Sequence, residues 1–462
     1  MGGAPPTVNI PPSRLSLIAD SDQAFRLRAA TARLARHSLD VQYYIWDDDN
    51  TGKLLLYRLM EAARRGVKVR MLLDHANQIG RDVKWAELNS HPNIEVRLFN
   101  PFRGRYKHFL QWLYHAPQLN HRMHNKAWIM DGERALVGGR NIADHYFGVN
   151  ATSNFRDLDL YARGPVVADT RAAFEDYWHS ELAVPLKRFR PRTERRAERA
   201  WQRLSHWRHS LRHYPYLFQQ DEAFFAEVLA KADEKTIMAP AVLLFDGPDK
   251  ARGVRQTLMG AQLARLLGND SHREVLIEAS YFIPGRDFVA EMGRLHARGR
   301  RVAVLTNSLA TNDMLAAHAA YSRYRPGLLD AGVELHELQP NARALRRQLR
   351  LFRGRSRTSL HTKALVLDRR EAFVGSFNLD PRSLHLNTEM GYYVASAVLG
   401  EQLAAFVEEG LAPENSYRLS RQQGHLLWTG DSGQVFRHEP QAGRRRRLMS
   451  WLLGWLPIER YL

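Results

Sequence analysis

Apolar positions along this chain come in short runs separated by helical patterns, and the same order of runs occurs twice. Residues 38–46 (SLDVQYYIW) read as a buried strand. A helical stretch follows, ending at Ala62-Ala63-Arg64-Arg65-Gly66, and then come strands at 67–74 (VKVRMLLD) and 94–100 (IEVRLFN). Far downstream, 274–282 (EVLIEASYF) leads into a helix ending at His296-Ala297-Arg298-Gly299. Strands follow at 302–307 (VAVLTN) and 333–338 (VELHEL). Strands alternating with helices at this spacing predict an α/β fold with largely buried sheets. Two copies predict duplicated lobes, each a mostly buried central β-sheet flanked by helices. The expected divisions are an N-terminal extension (1–15), a first lobe (16–185), a basic interlobe linker (186–233), a second lobe (234–415) and a basic, aromatic tail (416–462).

A chain of 462 residues with 44% apolar and 25% charged side chains is globular and long enough for two cores. Its net charge of +18 favours polyanions, whether nucleic acid or an anionic membrane. The positive charge is carried by 57 arginines against ten lysines, and after residue 250 the only lysine is Lys363. A lysine kept where arginine is the rule is expected to serve as a compact ammonium point charge. The absence of cysteine excludes disulfides, thiolate zinc sites and cysteine nucleophiles. No 18-residue apolar run is present to span a bilayer, and residues 1–13 lack a signal-peptide pattern.

Each copy carries His-x-Lys, an Asp five residues after the Lys, a small pair and an Asn. The first reads His124, Lys126, Asp131, Gly138-Gly139 and Asn141; the second His361, Lys363, Asp368, Gly375-Ser376 and Asn378. On an extended chain His and Lys two apart face the same way. One histidine can attack phosphorus while the other protonates the departing oxygen. Lys126, Lys363, Asn141, Asn378 and Ser376 can neutralise or bind the phosphate oxygens, so the pattern implies no metal and no cofactor. Asp131 and Asp368 complete the motif, although their spacing puts them in the turn after the strand, where structural work is favoured.

The duplicated HxKxxxxD with its trailing Asn resembles the signature of the phospholipase D superfamily. The likeness extends through LDVQYYIWDDD, HPNIEVRLFNPF, LTNSLATND and GSFNLDPRSLHLNTEMGY to bacterial cardiolipin synthases, nearest to the C type. That resemblance implies an active site between the lobes and a phosphatidyltransferase acting through a phosphatidyl-histidine. It would make cardiolipin or a related lipid from phosphatidylglycerol plus phosphatidylethanolamine or a second phosphatidylglycerol. It also implies crossed acid partners, Glu389 for His124 and Asp157 for His361, with Asp159 left as a competitor for Asp157. The catalytic set is then His124, Lys126, Asp131, His361, Lys363, Asp368, Glu389 and Asp157.

The alternatives are a phospholipase D hydrolase or phosphodiesterase nuclease with the same histidine chemistry, and a non-enzymatic membrane-binding scaffold. The intact motifs disfavour the last. The tail favours lipid over nucleic acid: Arg444, Arg445, Arg446 and Arg447 precede Trp451 and Trp455 in a segment too short to span but able to lie in a headgroup interface. Docking of this segment on the protein's own core is the competing reading. Residues 102–122, including Trp112, and 341–360 mix basic with apolar and aromatic side chains in the same way. The expected setting is peripheral, on the bacterial cytoplasmic membrane, with phospholipids and an anionic surface as partners and no required protein partner.

Overall fold

In the computed structural model the predicted runs become strands whose side chains are buried on both faces. The structure describes residues 10–102, 120–188, 193–211, 214–217, 221–253, 258–268, 271–342, 356–456 and 459. The first lobe contains β1 (Pro12–Ile18), α1 (Ser21–Leu34), β2 (Ser38–Tyr43), α2 (Asn50–Arg64), β3 (Lys68–Asp74), α3 (Asp82–Leu88) and β4 (Ile94–Phe99). It continues with β5 (Ala127–Met130), β6 (Arg134–Gly138), β7 (Ser153–Arg156), β8 (Asp159–Arg163), α4 (Pro165–His179), β9 (Ala183–Pro185), α5 (Glu194–Ser210) and α6 (Glu222–Glu234). The second repeats the plan with β10 (Ile237–Phe245), α7 (Leu258–Leu267), β11 (Glu274–Ala279), α8 (Gly285–Ala297), β12 (Arg301–Asn307), α9 (Leu315–Ser322), α10 (Arg325–Asp330) and β13 (Glu334–Leu338). Then come β14 (Arg357–Leu360), β15 (Lys363–Leu367), β16 (Glu371–Gly375), α11 (Pro381–His385), β17 (Met390–Ala395), α12 (Ala397–Leu411), β18 (Ser416–Gln422), β19 (His425–Thr429), β20 (Val435–Phe436) and α13 (Arg444–Gly454).

Helix boundaries follow from local chemistry. The Asp49 carboxylate caps α2 by accepting from Gly52 N. Gly66 and Gly299, just past α2 and α8, have φ of 99° and 75°, the left-handed conformation that ends a helix.

The sheets of the two lobes are joined. Following hydrogen-bonded neighbours, the order is β9-β4-β3-β2-β5-β6-β8-β1 and then β10-β17-β16-β15-β11-β12-β13-β18-β19-β20. β1 supplies the seam: Leu15 pairs with Ala162 of β8 on one side and Ile237 of β10 on the other. A core shared by both lobes includes Leu72 and Val137 from one and Leu276 and Val366 from the other, with Phe174 of α4 and Phe406 of α12. Separate outer cores lie under α1 and α2 in the first lobe and α7 and α8 in the second.

Three expected divisions shift. The N-terminal extension already contains the start of β1, because Pro12–Ile18 alternates exposed and buried positions. The interlobe linker is largely first-lobe structure: Trp201 of α5 stacks on Tyr57 of α2, and Phe225 of α6 enters the outer core. The tail begins with β18–β20, which extend the second sheet, with Tyr417 and Trp428 buried in its core. The predicted strand at 38–46 stops pairing regularly at Tyr43, beyond which Trp46 makes one bridge to Ile142.

Candidate active site between the lobes

Each motif histidine stands just ahead of its strand, on backbone pinned to the opposite lobe. Met123 bridges Thr388, and His124 N donates to Thr388 O at 2.9 Å. β14 pairs with β7 of the first lobe and runs into His361, whose N donates to Arg156 O at 2.8 Å. The residues after these anchors, Glu389 and Asp157, are thereby delivered to the histidines across the interface. Nδ1 of His124 lies 2.8 Å from Glu389 Oε2, and Nδ1 of His361 lies 2.7 Å from Asp157 Oδ2. With Nδ1–H donated to a carboxylate, the Nε2 lone pair is free.

Register separates Asp157 from Asp159. Gly138 pairs with Asp159, and its counterpart Gly375 pairs with Gly391. Two residues before each partner stand Asp157 and Glu389. Asp159 instead forms ion pairs with the buried Arg28 and Arg140, at 3.0 and 3.3 Å.

The two carboxylates are held differently. Glu389 accepts from the hydroxyls of Ser376 and, at 2.8 Å, Ser383. Asp157 accepts from Leu158 N at 2.8 Å and packs on Gly139, where a Cβ would lie 2.1 Å from its Oδ1. The glycine that replaces serine in the first motif therefore makes room for the shorter acid. Ser376, expected to bind phosphate, spends its hydroxyl on Glu389 and accepts from Met390 N.

Asp131 and Asp368 do not reach the chemistry. Asp131 accepts from the backbone N–H groups of Arg36, His37 and Ser38, and Asp368 from those of Arg273 and Glu274. They belong with structural residues rather than the catalytic set, because a carboxylate in the turn meets the start of the neighbouring strand.

Lys126 Nζ donates to His124 O at 2.6 Å, and Lys363 Nζ donates to Ser280 Oγ at 3.0 Å while lying 3.4 Å from His361 Nε2. Asn378 accepts from Ser280 Oγ through its oxygen, keeping its amide donors for a ligand. Asn141 is committed at both ends, accepting from Ile45 N and donating to the Tyr146 hydroxyl. Tyr146 and Tyr44 present ring edges or faces to His361 and His124, at centroid distances of 4.9 and 5.0 Å. Ser383, Ser280, Tyr44 and Tyr146 carried no signal in the motif itself. The repeat could have exposed Ser383, which follows Asn378 by five residues.

Burial disfavours every cation here. It lowers the His124 pKa to about 4 against the opposing pull of Glu389, and the Lys363 pKa to about 8. Burial, reinforced by the two lysines, puts His361 well below its usual value; Lys126 is also lowered strongly by burial. Burial raises Asp157 to about 6. Glu389 is likewise buried, yet His124, Lys126 and its hydrogen bonds outweigh that and hold it below the ordinary carboxylate value. Such a site is stabilised by an anion, since a bound phosphate would restore the charge that burial penalises.

Trp112 lies outside the described residues, as do most of the two segments preceding the motif histidines. At the tail, Arg444 and Arg445 are exposed, whereas Arg446 turns inward, donating to Leu309 O at 2.7 Å and to Asn312 O. Arg446 is thus a docking residue of α13, not a free headgroup contact. Arg323 donates to the carbonyls of Gly454 and Leu456, so one face of the tail is seated on the second lobe. The other face exposes Leu448, Met449, Trp451, Leu452, Trp455 and Leu456, with Trp455 75% accessible. The docking reading thus holds for one face of the tail, and the other face is left exposed. Among the described residues no helix is long and apolar enough to cross a membrane.

Two quasi-equivalent lobes, each lending an acid to the other's histidine and a lysine to a common centre, define a histidine-centred phosphodiester-handling scaffold. The chain belongs to the phospholipase D superfamily: residues 30–178 and 265–409 match the family described as "Cardiolipin synthase, PLD-like domain". It is 40% identical over 443 residues to cardiolipin synthase C of Escherichia coli (strain K12), covering 94% of this chain and 93% of that protein. It is 25% identical to cardiolipin synthase A of Pseudomonas entomophila (strain L48), over 86% of this chain and 68% of that protein. A phosphatidylserine synthase from Haemophilus influenzae Rd KW20 shares the fold, with a TM-score of 0.61 at 15% identity over 96% of this chain and 93% of that one.

Proposed function

We propose that the protein is a phosphatidyltransferase that makes cardiolipin, or a related bis-phosphatidyl lipid, from phosphatidylglycerol and either phosphatidylethanolamine or a second phosphatidylglycerol. The observation that carries this is the crossed pair of histidine–carboxylate hydrogen bonds facing two buried lysines. It is supported by 40% identity to a cardiolipin synthase over nearly the whole chain.

His124 Nε2 attacks phosphorus, and the bond to the small alcohol breaks as His361, protonated at Nε2 when the phosphate anion offsets the penalty of burial, gives that oxygen a proton. Ethanolamine or glycerol leaves, and the phosphatidyl group stays on His124. A lipid hydroxyl then loses its proton to His361 and attacks phosphorus, which frees His124 and completes the product. Lys126, Lys363 and Asn378 stabilise the non-bridging oxygens throughout. The assignment of His124 as nucleophile is supported by the firmer ionisation of Glu389, which stabilises positive charge on a phosphorylated imidazole.

The protein works from the membrane surface, with the exposed Trp and Leu side chains of α13 entering the interface and Arg444 and Arg445 meeting anionic headgroups. Incubating pure protein with vesicles of defined phosphatidylglycerol and phosphatidylethanolamine, and weighing the products, tests the function. A bis-phosphatidyl product that requires both His124 and His361 is expected. Hydrolysis alone, or cleavage of DNA with lipids untouched, would refute it.

A further inference from the structure

The two lobes differ at one pair of equivalent corners. In the first lobe, Tyr214 and Tyr216 fill the corner between α1, the start of α2 and the turn at 144–147. Tyr216 stacks on Phe25 with ring centroids 4.1 Å apart, and its hydroxyl donates to Phe147 O. Tyr214 donates to Asp144 Oδ1 at 2.9 Å and lies 3.0 Å from Thr51 Oγ1. Asp144 and Phe147 follow His124 by 20 and 23 positions, and Pro381 and Leu384 follow His361 by the same intervals.

In the second lobe the matching corner, between α7, the start of α8 and α11, is a cavity of about 500 Å³. That size falls within the roughly 300–1,000 Å³ of small-ligand sites. Its walls include Leu263, Leu267, Ile283, Phe288, Phe377 and Leu384. Among the described residues lining it, no tyrosine takes the place of Tyr214 or Tyr216.

The catalytic segment forms part of the wall. Phe377 and Leu379 flank Asn378, and both line the cavity while the Asn378 side chain reaches Ser280 beside Lys363. A narrower space, sharing Leu263, Leu267, Phe377 and Leu379, is bounded by Lys363 and Glu278. The apolar corner therefore lies next to the strand that carries Lys363. Charged side chains, including Arg286 and Arg294, are exposed at its margin.

We propose that this cavity receives one acyl chain of the phospholipid whose phosphate lies between the two histidines. The proposal rests on the lipid-transfer reading above. A hydrocarbon chain asks for no hydrogen bond, and it gains from leaving water in proportion to the apolar surface it buries. The head and the chain of one molecule then lie on opposite sides of the segment carrying Asn378. In the first lobe the equivalent corner is filled, among the described residues, by the protein's own aromatic rings, so the donor and acceptor lipids are held unequally.

Ala264 lines the cavity from an exposed position on α7, so Ala264→Trp narrows it without removing a buried side chain. The assay compares dipalmitoyl with dihexanoyl phosphatidylglycerol, and bis(p-nitrophenyl) phosphate serves as a substrate without acyl chains. The expected result is a loss of about tenfold or more in kcat/KM for the dipalmitoyl lipid, with the other two substrates nearly unchanged. A loss shared by all three, or by none, overturns the proposal. A photoreactive acyl chain should also label peptides containing Leu263 or Phe288, and labelling confined to other peptides overturns it too. A wild-type protein that cleaves the p-nitrophenyl diester but transfers no phospholipid would instead refute the lipid reading, and this inference with it.

Discussion

Replacing Gly139 with alanine perturbs one histidine through its carboxylate and spares the other. The new Cβ would stand 2.1 Å from Asp157 Oδ1 and 2.8 Å from its Cγ. Non-bonded carbon contacts settle near 3.5–4.0 Å, so the carboxylate must retreat by about an ångström. Its bond to His361 is 2.7 Å long and does not survive that shift. A hydrogen bond to a charged group contributes about 1.5–3 kcal/mol, so the step that uses His361 should slow by about ten- to 150-fold. Lipid transfer needs His361 to protonate an alkoxide leaving group, whereas a p-nitrophenyl diester releases a stable phenolate. Gly139→Ala should therefore cut lipid transfer by that factor and keep the p-nitrophenol burst from His124. Stopped-flow absorbance and product mass spectrometry, with thermal unfolding as a control, make the comparison. Equal loss of burst and transfer, or no loss of either, refutes the reasoning.

The same division of labour should appear in pH profiles. On the acid side the burst depends on neutral His124 and should fall near pH 4, whereas transfer also needs ionised Asp157 and should fall near pH 6. Both should decline above about pH 8 as Lys363 loses its proton, and superimposable acid limbs would count against separate roles. Asp131→Ala should lower stability by about 1–3 kcal/mol in urea denaturation, because three backbone donors lose their acceptor, with the burst per folded molecule unchanged. Replacing Trp451 and Trp455 together with alanine should weaken sedimentation with anionic vesicles while leaving soluble diester turnover intact; unchanged vesicle binding would remove α13 from the interface.

The duplicated order of strands was legible because a sheet buried on both faces needs continuous apolar runs, and it appears in β2, β3 and β4 and again in β11, β12 and β13. The histidines and lysines were legible because they repeat. Register was not: only the pairing of Gly138 with Asp159 and of Gly375 with Gly391 distinguishes Asp157 from its neighbour. β1 was hidden because seven residues beside a proline-rich start carry little pattern until two partners are supplied. Ser376 was misread for a related reason. A small polar residue beside a phosphate motif suits phosphate equally well, and only the position of Glu389 shows where its hydroxyl goes.

The seam made by β1 has a mechanical consequence. With Leu15 paired on both sides, β1 ties the first sheet to β10 of the second, so parting the lobes there would have to break strand pairing. A clamshell opening to admit lipids would work against that pairing, so in the proposed reaction the second lipid is expected to arrive only after the small alcohol has left. In that reading the small alcohol leaves into water while the phosphatidyl group stays tethered to His124 until the next headgroup arrives.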